Sequence, residues 1–129
     1  LYDQNVMLEG TILKASMVIS GKDCPEQASV EEVAEMTVRC LKSAVPAILP
    51  GIVFLSGGQS DEAATAHLNA MNQMGPHPWP LSFSYGRAMQ AAALKIWSKD
   101  LVGNVAAAQQ TVYARAKDNG LAALGQWKK

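Results

Sequence analysis

The sequence predicts an α/β fold with a parallel sheet, because short apolar segments alternate with amphipathic helical segments along the chain. Three such strand–helix units are followed by one further helix, and right-handed crossovers would set the strands side by side. With 129 residues and a 49% hydrophobic composition, the chain has the size of one domain. An open doubly wound sheet and a (β/α)8 barrel both fit the alternation, although a barrel needs about 200 residues or more.

The first unit combines a strand at about residues 6–14 with a helix that begins at Ser29. Branched and aliphatic side chains dominate the strand segment, as in a buried strand. The sequence SVEE that starts at Ser29 is typical of a capping box, which indicates the start of a helix. The apolar face of this helix is predicted to contain Val33, Met36, Cys40, Leu41 and Ala44.

The second and third units have shorter strands. Residues 51–55 form an unbroken apolar run typical of a strand buried on both faces, and the next helix begins near Ser60. The third strand is predicted at about residues 81–85 and its helix at 87–97, followed by an Ala-rich helix at about 102–118 that ends at Asn119 and Gly120. The residues predicted to face inward from the second helix are Ala64, Leu68 and Met71.

The charge balance excludes a general attraction to nucleic acid or to an anionic membrane. Eleven basic and eleven acidic side chains give a formal charge of zero, and no apolar run is long enough to span a bilayer. Cys24 and Cys40 match no metal or redox spacing, and we expect free thiols in a reducing, cytoplasmic compartment. His67 and His77 are expected to be structural or surface residues, so no metal site is predicted.

Lys14 is the strongest candidate for a catalytic side chain, because it stands where an apolar strand ends. Apolar surroundings lower the pKa of a lysine, and the neutral amine then attacks carbonyl groups. A decrease from 10.4 to about 7 amounts to roughly 3–4 units, so the site must supply on the order of 4–5 kcal/mol. The alternative is that Lys14 extends its ammonium group into water at the end of the strand.

Two loops at the carboxyl ends of the other strands predict a phosphate site. Gly57 and Gly58 allow backbone N–H groups to approach an anion at the start of a helix, and Ser56 adds a hydroxyl. Arg87 adds a guanidinium suited to bidentate contact with phosphate. Alternatively, the glycines form only a tight turn and Arg87 is an exposed first-turn residue. Since ligands of parallel α/β folds bind at this end, one ligand could contact both loops and Lys14.

Three segments of the chain resemble class I fructose-bisphosphate aldolase. They are LEGTILK at residues 8–14, FLSGGQS at 54–60 and FSYGRA at 83–88. The stretches NAMN at 69–72, AAAQ at 106–109 and ARAK at 114–117 are also similar to this family. The resemblance therefore runs the length of the chain, with its three main motifs in family order.

The resemblance implies a (β/α)8 TIM barrel, of which residues 1–129 would be the carboxyl-terminal portion with the sixth, seventh and eighth strands and a final helix. It implies that Lys14 forms a Schiff base with fructose 1,6-bisphosphate or dihydroxyacetone phosphate during reversible aldol cleavage. No metal or cofactor is implied, and the family suggests a cytoplasmic, glycolytic lyase that is a homotetramer. The residues implied to surround the substrate phosphate are Ser56, Gly57, Gly86 and Arg87.

The chain also departs from the family pattern. Ala15 and Ser16 follow the lysine where the family commonly has Pro and Asn, and the family's acidic proton-transfer residues and carboxyl-terminal tyrosine have no counterpart. Because the chain starts at Leu1 and three strands of a barrel would leave two open edges, we expect an inactive, aggregation-prone piece of a longer protein. The alternative function is a non-catalytic phosphate-binding or assembly fragment of an aldolase-like barrel.

Overall fold

A computed structural model, which describes all residues from 1 to 129, contains one parallel three-stranded sheet in the order β1-β2-β3. The predicted α/β alternation is confirmed, and none of the helices is long and apolar enough to cross a membrane. The strands are β1 (Ile12–Ala15), β2 (Gly51–Phe54) and β3 (Leu81–Phe83). The α-helices are α1 (Val30–Ala44), α2 (Asp61–Gln73), α3 (Arg87–Trp97) and α4 (Val105–Ala123), and two 3-10 helices are at Tyr2–Gln4 and Leu8–Gly10.

The first strand is shorter than predicted, and the assignment of residues 6–11 to it is wrong. The segment Leu8–Gly10 is a 3-10 helix, and the Thr11 hydroxyl donates a hydrogen bond to the backbone oxygen of Met7 at 3.0 Å. Such local hydrogen bonds compete with strand formation, and an apolar run without clear periodicity does not reveal them. As a result, Lys14 lies inside β1, with one strand residue after it.

One face of the sheet packs on the helices and forms the core. Ile52 and Phe54 of β2 are fully buried there. Ala64, Leu68 and Met71 of α2 are also fully buried in the same cluster, which confirms the predicted inward face of that helix. The central strand and α2 therefore form the centre of the packed structure.

The opposite face of the sheet is open. The register aligns Lys14 with Val53 and Val53 with Ser82, so these three residues form one row across the sheet. Because side chains alternate along a strand, this row faces away from the helices. Ile12 lies on the same face as Lys14 and is 64% exposed. In a closed barrel this face would line the interior.

Helix α1 begins where predicted, but its buried face is rotated. The Ser29 hydroxyl caps the helix by accepting a hydrogen bond from the Glu32 N–H at 3.1 Å. The buried stripe includes the polar residue Thr37, whose hydroxyl accepts a hydrogen bond from the Val18 N–H at 2.9 Å. A prediction from the hydrophobic pattern alone omits Thr37, because its burial depends on this hydrogen bond. The residues that the sequence wrongly placed on the buried face are Met36, Cys40 and Ala44.

Helix α4 begins and ends later than predicted, and it continues through Asn119 and Gly120. Asn119 is fully buried, and its side-chain oxygen accepts a hydrogen bond from the Thr65 hydroxyl at 2.7 Å. The helix is followed by Gly125, which has a positive φ of 67°. Because Asn119 is anchored to α2, its preference for a helix end is overridden by tertiary contact.

Candidate active site

The loop between β2 and α2 forms a tight turn at the carboxyl end of the sheet. Gly57 and Gly58 have φ angles of 55° and 83°, in the region that glycine adopts most readily. The Gln59 N–H donates to the backbone oxygen of Ser56 at 2.9 Å, and the Ser60 hydroxyl caps α2. A glycine turn that leads into a helix start directs backbone N–H groups toward an anion. The loop therefore has the glycine turn that the sequence indicated, and phosphate binding there stays a prediction.

A cavity of about 800 Å³ connects this loop with the start of α3. Gly57, Gly58 and Arg87 all line it, and Gly86 is the N-cap residue next to Arg87. Lys22, from the loop after β1, lines the same cavity, and no Asp or Glu does. Neither cation forms a salt bridge. The cavity is therefore electropositive, although the chain as a whole has no net charge.

Lys14 and Ser56 do not line this cavity. Ser56 is buried beneath the loop, whereas Lys14 is exposed on the open face of the sheet. The two strand ends are nevertheless adjacent, because the Leu55 N–H donates to the backbone oxygen of Ala15 at 3.0 Å. The apolar surroundings expected around Lys14 are not supplied by residues of this chain. Contact of one ligand with both Lys14 and the loop stays a prediction.

The sequence did not reveal a contact between Gln59 and His67. Gln59 Nε2 lies 3.0 Å from His67 Nδ1 and 3.4 Å from the Met17 sulfur. Burial lowers the pKa of His67, and the nearby Glu31 carboxylate partly offsets this by raising it. Burial therefore favours the neutral imidazole. One signal was available in the sequence. His67 is the seventh residue after the helix cap Ser60, so it lies two turns along α2 on the same face as the cap.

A buried polar cluster holds the start of α2 in place. The Tyr85 hydroxyl donates to the backbone oxygen of Ala64 at 2.8 Å, and burial raises the Tyr85 pKa well above its usual value. Arg115 of α4 donates through Nη2 to the backbone oxygen of Asp61 at 2.7 Å and also to the Thr65 hydroxyl. Because these bonds fix the first turn of α2, they also support the loop that precedes it.

The sequence profile of the family described as "Fructose-bisphosphate aldolase class-I" matches residues 1–129. The chain belongs to this aldolase family. The resemblance inferred from the three motifs is therefore confirmed over the full length of the chain.

The chain is similar to bacterial and protozoan aldolases. It is 80% identical to a "Probable fructose-bisphosphate aldolase class 1" of Xanthomonas campestris over 128 residues, which is 99% of this chain and 38% of that protein. It is 58% identical to "Fructose-bisphosphate aldolase 1" of Toxoplasma gondii, covering 98% of this chain and 35% of that protein. The chain thus spans little more than a third of the curated relatives that it matches.

A solved aldolase structure has the same fold in the matching part. Plasmodium falciparum fructose-bisphosphate aldolase, in a ternary complex with TRAP and a small-molecule inhibitor, superimposes with a TM-score of 0.92 and 48% identity. The superposition covers 97% of this chain and 36% of the Plasmodium chain. The fold is therefore part of a TIM barrel, as predicted, and the open doubly wound sheet is excluded.

Replacing Gly58 with alanine is expected to destabilise the full-length aldolase by about 1–2 kcal/mol, because φ at this position is 83°. A Cβ at Gly58 would meet no atom within 4 Å, so the effect would be conformational and not steric. Urea unfolding measures it. Gly21→Ala is the matched control, because Gly21 has open space and no positive φ. Equal stability of the two variants would contradict the prediction.

Proposed function

We propose that this chain is the carboxyl-terminal part of a class I fructose-bisphosphate aldolase that uses Lys14 as its Schiff-base residue. The whole enzyme would reversibly cleave fructose 1,6-bisphosphate to dihydroxyacetone phosphate and glyceraldehyde 3-phosphate in glycolysis. The main support is that Lys14 and the Gly57–Gly58 turn lie at the carboxyl ends of adjacent parallel strands. This is the edge where TIM-barrel active sites are built.

The phosphate of the ketone-side fragment would bind at the glycine turn. Backbone N–H groups of Gly57 and Gly58 would donate to it, with Ser56 contributing its hydroxyl. Arg87 at the start of α3 would supply a bidentate guanidinium, next to the backbone of Gly86. The absence of carboxylates from the cavity lining agrees with an anionic ligand.

Cleavage would proceed through covalent attachment of the substrate to Lys14. The Nζ lone pair attacks the ketone carbon, and proton transfer from nitrogen to oxygen gives a carbinolamine. The carbinolamine hydroxyl takes up a further proton from an acid of the site and leaves as water, which gives a protonated imine. A base from the rest of the barrel would remove the proton of the C4 hydroxyl, and the C4–O bond would become the aldehyde carbonyl. The electron pair of the C3–C4 bond would move to the protonated imine, which leaves an enamine. Protonation of the enamine at C3 and addition of water then release dihydroxyacetone phosphate and regenerate the free amine.

The rest of the barrel would complete the site. The row Lys14, Val53 and Ser82 is open in this chain, so the apolar surroundings of the lysine and the proton-transfer groups must come from other strands. We therefore expect the isolated chain to be inactive and prone to aggregation at its open sheet edges. The whole enzyme would be a cytoplasmic homotetramer that needs no metal or cofactor.

Trapping with borohydride tests the proposed function. Hydride addition to the imine gives a stable secondary amine, so the Lys14 peptide of the full-length protein should gain one reduced dihydroxyacetone phosphate group. The peptide that contains Lys42, an exposed lysine of α1, serves as the internal control and should stay unmodified. If no lysine of the full-length protein is trapped, the Schiff-base mechanism is wrong, and a non-catalytic phosphate-binding or assembly role takes its place.

A further inference from the structure

We propose that His67 is a positioning residue for the phosphate loop: its neutral imidazole accepts a hydrogen bond from Gln59 and thereby holds the Gly57–Gly58 turn in its binding conformation. This inference rests on the proposed function, because it assumes that the turn binds the phosphate of the substrate. His67 itself does not act on the reacting atoms. Its effect is transmitted through the side chain and backbone of Gln59.

Gln59 connects three parts of the site. Its backbone N–H closes the glycine turn by donating to the Ser56 oxygen at 2.9 Å. Its side-chain nitrogen contacts His67 Nδ1 on α2 at 3.0 Å and the sulfur of Met17 at 3.4 Å. Met17 is buried and follows Lys14 by three residues. The Gln59 side chain therefore links the end of the lysine strand, the phosphate loop and α2.

The contacts determine which way the Gln59 amide must point. The Met17 thioether can only accept a hydrogen bond, so the amide presents its NH₂ group to the sulfur and to His67. His67 Nδ1 must then be unprotonated, with the imidazole proton on Nε2. Gln59 Oε1 is buried and has no protein partner. No bond to this oxygen fixes the amide, so its orientation depends on the two contacts of the nitrogen.

Protonation of His67 would break the contact, because two N–H groups would then face each other. The Glu31 carboxylate on α1 favours protonation of the imidazole, and the cations Lys22 and Arg87 line the same cavity as His67. Burial outweighs Glu31 and lowers the His67 pKa below 6.5. Burial thus favours the neutral form, and phosphate affinity should fall when the pH is lowered far enough to protonate the imidazole.

Two substitutions of His67 in the full-length enzyme separate the acceptor from the titrating group. Asparagine places its side-chain oxygen near the position of Nδ1 and does not titrate, whereas leucine removes the acceptor. We expect H67L to raise KM for fructose 1,6-bisphosphate about fivefold with little change in kcat. H67N should restore KM and abolish the rise of KM at acidic pH. H77N is the control, since His77 contacts the Met71 backbone oxygen away from the loop.

The outcomes distinguish this inference from the proposed function. Borohydride trapping at saturating dihydroxyacetone phosphate should still modify Lys14 in H67L, because only affinity is weakened. Failure of trapping in the wild-type enzyme would remove the proposed function itself. Normal trapping, with the same KM and pH profile in wild type and both His67 variants, would overturn the positioning role alone. If H67L does not fold, the pH dependence of KM in H67N tests the inference. Should His67 have a purely structural role, KM of H67N would still rise at acidic pH.

Discussion

Replacing Lys14 with methionine in the full-length aldolase is expected to lower kcat by at least about 10³-fold, because the substitution removes the amine that we propose forms the imine. Methionine retains an unbranched stem of similar length without the amine. Lys14 is exposed within this segment and makes no salt bridge, so its removal breaks no ion pair here. Steady-state cleavage of fructose 1,6-bisphosphate, with circular dichroism to verify folding, measures the effect.

Two further variants separate the nucleophile from its charge. Lys14→Arg keeps a cation but cannot form an imine, so its activity should be as low as that of Lys14→Met. Lys42→Met removes an exposed lysine from the last turn of α1 and should leave kcat unchanged. Substantial activity in Lys14→Arg would show that the charge, and not the amine nucleophile, is what the reaction requires.

Replacing Phe54 with alanine is expected to lower the free energy of unfolding by about 3–5 kcal/mol, more than Gly58→Ala. The Phe54 side chain is fully buried on the central strand and belongs to the main hydrophobic cluster. Its deletion removes apolar contacts and leaves a cavity. The cavity cannot readily collapse, because β2 is held between β1 and β3. The change in the urea midpoint of the full-length protein measures the loss.

Met36→Ala provides the comparison for Phe54→Ala. Met36 is 41% exposed on α1, so its truncation should cost much less than that of a buried aromatic residue. If both variants shift the urea midpoint equally, Phe54 is not part of a well-packed core. Such a result would also question the assignment of the covered sheet face.

Features determined by local chemistry were predictable from the sequence. Ser29 and Ser60 were correctly identified as helix starts, because capping depends on residues within one turn. The bounds of α3 were likewise correct. The extent of β1 and the end of α4 were not, because the first depends on hydrogen bonds at Thr11 and the second on the anchoring of Asn119.

The candidate site was predictable in its parts but not in its arrangement. The sequence could indicate Gly57, Gly58 and Arg87, because the residue types alone show a flexible backbone at the glycines and a guanidinium at the start of a helix. The exposure of Lys14 depends on the closure of a barrel to which this chain contributes three strands. The contact of Gln59 with Met17 depends on how the loop before α2 packs against the segment after β1, and no sequence spacing specifies that packing.

Because one face of the sheet is open in this chain, the proposed reactivity of Lys14 depends on closure of the whole barrel by the other strands. In a segment with this sequence but without the remaining strands, the Lys14 side chain is exposed to water on the open face of the sheet. A proteolytic fragment of this extent would therefore be inert toward ketose phosphates. The imine chemistry that we propose for Lys14 would begin only when closure of the barrel surrounds the amine, so activity would report that the barrel is complete.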